Sequence, residues 1–184
     1  MANTASNVSF GKPKATGAVF VAPAGTSVPT DATTSLAVTF KNVGYVSEDG
    51  LVNEVETDIE EVKAWGGDIV LSDQSSFKET FTVNLLETNE EALKLYYGAG
   101  NVTVNGTSIT IVQNSNPLPE LVVVFEVVLT GGRIKRIVVP KAKIADRSGE
   151  VTYTDGDAIT YPAQFVAFPD SSGNTHTEYI AVTS

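Results

Sequence analysis

The sequence contains no cysteine and only one histidine, and these shortages remove several kinds of chemistry. Without cysteine there is no disulfide scaffold, no thiolate metal site and no cysteine nucleophile. The histidine, His176, has neither the companion ligands of a zinc site nor a Gly-x-Ser-x-Gly nucleophile motif elsewhere in the chain. Phosphate-binding glycine loops are missing as well. We therefore expect no catalytic centre, no metal and no cofactor.

Positive charge is scarce, with 12 Lys and Arg against 22 Asp and Glu and a net charge of −10. Tight binding of nucleic acid requires Lys and Arg side chains that replace the counterions of the phosphates. We therefore do not expect a DNA-binding groove. A surface past which DNA moves without sticking is compatible with this balance. Long apolar runs are also missing, and the N-terminus MANTASNVSF lacks the basic and apolar regions of a signal peptide. We expect a soluble protein that is not exported.

Most of the chain has β-forming residues with a period of two. Strands are predicted at 17–22, 36–46 and 77–86. Three hairpins are predicted, at 101–112 around Asn105-Gly106, at 121–139 around Gly131-Gly132, and at 158–183 around the turn PDSSGN. The expected fold is mainly β, an antiparallel β-sandwich or open barrel.

One segment, 89–97, has the pattern of a short α-helix instead. Thr88 is the predicted N-cap, and Glu91 three residues later completes a capping box. Gly98 supplies the stop signal at the other end. A helix this short is marginal alone, so we expect it to pack against the sheet.

The N-terminal residues 1–30 are rich in Ala, Thr, Gly, Pro and Ser and show little alternation. We interpret them as an extended arm over the surface of the same or a neighbouring subunit; the alternative is a floppy terminus. Residues 31–184 are then a single β-sandwich domain.

Two segments of opposite charge stand out. The acidic one holds seven acids and no base: Glu48, Asp49, Glu54, Glu56, Asp58, Glu60 and Glu61. The basic one holds half of the positive charge: Arg133, Lys135, Arg136, Lys141, Lys143 and Arg147. They are either two solvated faces or complementary patches that meet head to tail between identical subunits.

The order FKNVGYVSEDGL at 40–51, an acidic stretch, KAWGGDIV at 63–70 and FKETFTVNLLETNEEALKLYYG at 77–98 resembles the major tail tube protein of long, non-contractile-tailed bacteriophages. The resemblance covers about residues 35–100, and Trp-Gly-Gly followed by Leu-Glu-Thr-Asn is its most specific part.

The resemblance implies a structural virion protein rather than an enzyme. Six copies would form a ring whose inner strands close into a continuous barrel, and rings would stack into a tube that guides the genome into the host. A tape-measure protein would fill the tube during assembly, tail terminator and tip proteins would meet its ends, and assembly would occur in the host cytoplasm. On that pattern a long loop at about 46–70 would stack rings, and the arm would reach a neighbour.

Within that loop, we expect Trp65 to anchor the base by burial, while Gly66 and Gly67 turn the chain into a strand that starts near Ile69. The acids at 54, 56, 58 and 60 would share one side of a strand and face either the ring-to-ring contact, which the resemblance favours, or the lumen. In the first case Glu79, Glu120 and Glu126 are the candidates for the lumen wall.

Two other functions fit parts of the sequence. An immunoglobulin-like binding or decoration module on a virion or cell surface has the same strand count and turn spacing. A glycan hydrolase needs a pair of carboxylates in a polar cleft, but nothing in the sequence selects such a pair.

Overall fold

The computed structural model of the chain describes residues 3–5, 8–146 and 149–181. In these ranges it has one α-helix, α1 (Glu90–Tyr97), and short 3-10 turns that include Ala99–Asn101 and Thr130–Gly132. The described strands are β1 (Gly11–Pro13), β2 (Val19–Pro23), β3 (Lys41–Asn42), β4 (Val52–Lys63), β5 (Ile69–Leu85), β6 (Val102–Asn105), β7 (Ser108–Ile111), β8 (Leu121–Leu129), β9 (Ile134–Asp146), β10 (Tyr161–Ala167) and β11 (Thr177–Ile180). None of the helices in these ranges is long and apolar enough to cross a membrane.

Nine of these strands form one antiparallel sheet in the order β3-β2-β8-β9-β10-β5-β4, with β1 paired to β8 and β11 paired to β9. The sheet curls over on itself. Phe81 on β5 stacks on Phe125 on β8 with ring centroids 5.4 Å apart, although two strands lie between them in the sheet. Over the described residues the fold is thus mainly β and antiparallel, a β-sandwich with one short helix and no closed barrel, which confirms the predicted fold class.

The core lies inside the curl and has a smaller counterpart on the outer face. On β8 the side chains of Val123 and Phe125 point into the main core, while Val122 and Val124 belong to the outer cluster beneath Phe40. Burial on both faces explains why 121–125 is a continuous apolar run rather than an alternating one. The helix α1 closes the main core with its buried residues, Ala92, Leu93, Leu95 and Tyr96.

The predicted helix is confirmed to within one residue, but its predicted cap is wrong. Asn89 is the N-cap, and its side-chain oxygen accepts a hydrogen bond of 2.8 Å from the backbone N–H of Ala92. The Thr88 hydroxyl instead lies 3.1 Å from the Tyr161 hydroxyl. The helix ends at Gly98 as predicted, with a φ of 97°.

Two strand predictions need correction. Of residues 36–46, only Lys41–Asn42 forms a strand, because the chain turns at Ala37, whose carbonyl accepts the N–H of Phe40 and so places that ring in the outer cluster. The third hairpin is also wrong, since β10 and β11 each pair with a different part of the long strand β9. The hairpins at Asn105-Gly106 and Gly131-Gly132 are confirmed.

The N-terminal residues take part in the sheet of their own chain. Strands β1 and β2 both pair with β8, and Val19 is only 1% exposed. Part of the predicted arm, residues 1–30, is therefore integral to the sandwich. A contact of this region with a neighbouring subunit stays a prediction.

Candidate self-assembly surface

Strands β4 and β5 form a long hairpin that extends beyond the body of the sandwich. Their pairing runs from Val52 opposite Thr82 to Lys63 opposite Ile69, whereas β10 pairs only with residues 79–85 of β5. The remaining part, 69–78, spans about 33 Å at 3.3 Å per residue, and β4 is its only neighbouring strand among the described residues. The long loop predicted at 46–70 is thus mostly a paired hairpin, because the β-branched residues between the acids favour a strand.

The two faces of this hairpin differ in chemistry. One carries Glu54, Glu56, Asp58 and Glu60 from β4, paired with Thr80, Lys78, Ser76 and Asp73. Lys78 is a base on this face, and its ammonium lies 3.2 Å from the Glu56 carboxylate. The acids at 54–60 do share one side, as the spacing of two predicted. We call this surface the acidic face.

The opposite face of the hairpin carries apolar side chains in the region next to the body of the sandwich. Val55, Ile59 and Phe77 lie on it, each between 50% and 63% exposed. On β5 it is the same face that carries Phe81 and Leu85, which are both fully buried in the core. The core side of the sheet therefore continues past the body, and no other described element covers it there. We call the exposed residues Val55, Ile59 and Phe77 the apolar face; sequence reasoning missed it, although their alternation with the acids was a signal.

The hairpin has an unusual amount of exposed apolar surface. Nine large apolar side chains on it are at least half exposed. They are Val52, Val55, Ile59, Val62, Trp65, Ile69, Val70, Leu71 and Phe77. The outer edge of β4 and that of β5 over 69–78 also have no strand partner within the described residues. Exposed apolar clusters and open strand edges are features of surfaces that pair with another chain.

Trp65 occupies the tip of the hairpin and is completely exposed, with a relative exposure of 106%. The expectation that it anchors the base of a loop by burial is wrong, because the paired strands carry it away from the body. Gly66 and Gly67 have φ values of 121° and 101° and make the turn, after which β5 starts at Ile69 as predicted.

The other three acids of the acidic segment, Glu48, Asp49 and Glu61, do not lie on the acidic face. Ser47 donates a 2.9 Å hydrogen bond to Asp49, which closes a turn that also includes the exposed Glu48. Glu61 lies on the opposite face from the acids at 54–60, about 4.0 Å from the ammonium of Lys63.

The basic segment does not form one patch. Arg136 is 1% exposed and forms a buried ion pair with Glu126, so it cannot reach another subunit. Lys135 and Lys141 bind acids of their own chain, Glu178 at 2.7 Å and Glu120 at 3.6 Å. The half-buried Arg133 donates to the Ser9 hydroxyl, Lys143 is half-buried, and Arg147 lies outside the described residues.

Two of the acids considered for a lumen wall are inside the protein. Glu79 and Glu126 are each 1% exposed. Glu79 sits where the hairpin leaves the body and receives hydrogen bonds from Asn53 at 2.9 Å and Thr175 at 2.5 Å, with His176 Nδ1 at 3.0 Å. Burial raises the pKa of Glu79, but these hydrogen bonds outweigh burial and leave its pKa below the ordinary value. Glu120 remains half-exposed beside Lys141.

The described residues contain no group of three or more His, Asp or Glu side chains that could hold a metal ion. A β-sandwich with an uncovered, two-edged hairpin is the arrangement expected of proteins that associate with other chains through their sheets. A family model described as phage tail tube protein matches residues 1–183, and the chain belongs to that family. Members are structural rather than enzymatic, they associate with one another in the tail, and they are components of the virion. A search of the curated proteins finds no match.

Proposed function

We propose that six copies of this chain form a ring, that rings stack head to tail, and that the resulting tube is a negatively charged conduit for the phage genome. The number six comes from the resemblance described above. The observation that carries the proposal is the β4–β5 hairpin, whose edges and apolar face lack a partner in the described chain.

Ring closure would complete these edges. The free edge of β4 in one copy would meet the free edge of β5, over 69–78, in the next copy. Such a contact joins two different surfaces, so repeating it by rotation closes a ring without leaving an edge. The apolar face, with Val55, Ile59 and Phe77, would pack against the body of a neighbouring subunit, as its continuity with the core side supports.

The acidic face would then line the lumen. Glu54, Glu56, Asp58 and Glu60 repeated around each ring would make a wall that repels phosphate, so that DNA passes without binding. The net charge of −10 supports the same function. The tip, with Trp65, Gly66 and Gly67, would reach the next ring.

Other tail proteins complete the proposed assembly. A tape-measure protein would occupy the lumen before the genome does, and terminator and tip proteins would cap the two ends of the tube. These partners, and assembly in the host cytoplasm, follow from the resemblance.

Negative-stain electron microscopy of the concentrated, purified protein tests the proposal. Hollow tubes with six-fold end-on views are expected. A protein that stays monomeric at millimolar concentration would contradict self-assembly, and rings of another order would contradict the hexamer.

The orientation of the acidic face needs a separate test. Lys substitutions at positions 54, 56, 58 and 60 should leave tubes intact but retard DNA exit, because the wall becomes cationic. Gln and Asn at the same positions serve as uncharged controls of similar shape. Intact rings that no longer stack would place these acids in the ring-to-ring contact instead.

A further inference from the structure

The tip of the hairpin presents Trp65 in a defined way. The backbone N–H of Ala64 donates to the carbonyl of Asp68 at 2.8 Å, and the N–H of Gly67 donates to the carbonyl of Ala64 at 3.0 Å. This hydrogen-bonded turn holds the only tryptophan of the chain outside the fold, where its apolar rings meet water. Large aromatic side chains presented in this way are frequent anchors in protein interfaces.

The body of the protein has an apolar groove that lacks an occupant among the described residues. It lies between α1 and the ends of β2 and β8 and has a volume of about 440 Å³. Its apolar lining includes Val38, Leu95, Leu118, Pro119 and Leu121. The volume falls in the range that binds small aromatic groups, so one indole fits. A larger cleft beside β1 is lined by Lys12, Glu48 and Lys135 and is less suited to an indole.

The groove and the tip lie at opposite ends of the same strand. Strand β5 starts at Ile69, next to the hairpin turn, and ends at Leu85, from which residues 86–89 lead into α1. Copies stacked in one direction along β5 would therefore bring the tip of one to the α1 end of the next. The surfaces also differ in the sign of their net charge. Glu60, Glu61 and Asp68 outnumber Lys63 near the tip, while Lys41 and Lys94 outnumber Glu91 in the groove lining, where Lys94 also pairs with Glu90.

We propose that Trp65 of one copy inserts into the groove beside α1 of the copy stacked on it. The occupant is thus a second copy of this chain, and the contact would fix both the direction and the spacing of stacking. The inference rests on the proposed head-to-tail assembly and adds the residue and the receiving surface.

Fluorescence reads this contact directly, because Trp65 is the only tryptophan. On assembly its emission should shift to shorter wavelength and acrylamide should no longer quench it. Val38→Asp, at a groove residue that is 90% exposed, should raise the critical concentration for assembly by about tenfold or more without unfolding the monomer. Val112→Asp, at a position that is 61% exposed and does not line the groove, is the matched control and should change the critical concentration little.

Cysteine cross-linking identifies the receiving surface, since the natural chain has no cysteine. A mixture of Asp68→Cys and Val38→Cys proteins should form a mixed disulfide on mild oxidation, whereas Asp68→Cys with Val112→Cys should not. If tubes form while Trp65 stays exposed, or if the mixed disulfide is absent, the inference is overturned and the proposed function stands. If the Trp65 emission shifts only when another tail protein is added, that protein, and not a second copy of this chain, contacts the tip or the groove, and the inference is overturned. If the natural chain never assembles, the proposed function fails, and the inference with it.

Discussion

Arg136 on β9 faces Glu126 on β8 across the sheet, and the two form an ion pair in which each side chain is only 1 to 2% exposed. Lys14 brings a second cation to Glu126 at 2.5 Å, and Arg136 also donates to the backbone carbonyl of Asp31 at 2.8 Å. The pair thus ties the N-terminal region and the segment around Asp31 to the sheet.

Replacement of Arg136 by Met should therefore lower the free energy of unfolding substantially. It leaves Glu126 buried with Lys14 as its remaining cation, and breaking a buried ion pair costs about 3 to 5 kcal/mol. Lys135→Met on the same strand is the control, because its pair with Glu178 is partly exposed and worth about 1 kcal/mol or less. Urea unfolding of both variants measures the difference; equal losses would contradict a structural role for the buried pair.

Phe77 and Phe81 share one face of β5 but should respond differently to substitution by Ala. Phe81 is fully buried, so its loss should cost about 3 to 5 kcal/mol of unfolding free energy. Phe77 is 50% exposed, so we expect a change in monomer stability of about 0.5 kcal/mol or less together with impaired tube assembly. Urea unfolding and electron microscopy of both variants check this. Normal tubes from Phe77→Ala would show that the apolar face is not buried on assembly.

The corrected helix cap predicts a further difference. Asn89→Ala should destabilise the protein by about 1 kcal/mol, because the N–H of Ala92 loses its acceptor. Asn89→Ser retains a capping oxygen but, like Asn89→Ala, loses the contact with Glu87. The difference in stability between the two variants therefore measures the contribution of the capping hydrogen bond alone. Thermal unfolding of the two variants measures it, and indistinguishable midpoints would argue against Asn89 as the cap.

Local sequence signals predicted the local features of the fold. The Asn105-Gly106 turn, the apolar run at 121–125 and the Gly98 stop each act over a few residues, and the structure confirms the hairpins and the helix end that they indicate. The pairing of β10 and β11 could not be read in this way, because both pair with the long strand β9 rather than with each other.

The candidate site was harder to predict for a related reason. The resemblance predicted a long loop at 46–70, while the pairing of Val52 with Thr82 and of Thr57 with Phe77 makes most of it a hairpin. Acid spacing identified the acidic face, but whether a side chain such as Arg136 is buried or exposed depends on which strands cover it. A charge count along the sequence contains no such information.

Glu79 should make the stability of the subunit depend on pH in the acidic range. Its pKa in the folded protein lies below the ordinary 4.5, since hydrogen bonds from Thr175, Asn53 and His176 outweigh the effect of burial. The unfolded chain therefore takes up a proton before the folded one does as pH falls. The stabilisation is complete above about 4.5 and is lost as pH falls through the lower, folded pKa.

Glu79→Gln tests this pH dependence, because it removes the titrating group and leaves a side chain of similar size. Below about pH 5, the slope of unfolding free energy against pH should be smaller than in the natural chain, by up to about 1.4 kcal/mol per pH unit. At neutral pH the variant should be less stable, because the Gln amide accepts fewer of the hydrogen bonds that the carboxylate receives. Urea unfolding from about pH 3 to 7 gives both quantities. Parallel curves for the two proteins over the acidic range would show that Glu79 does not titrate differently on folding.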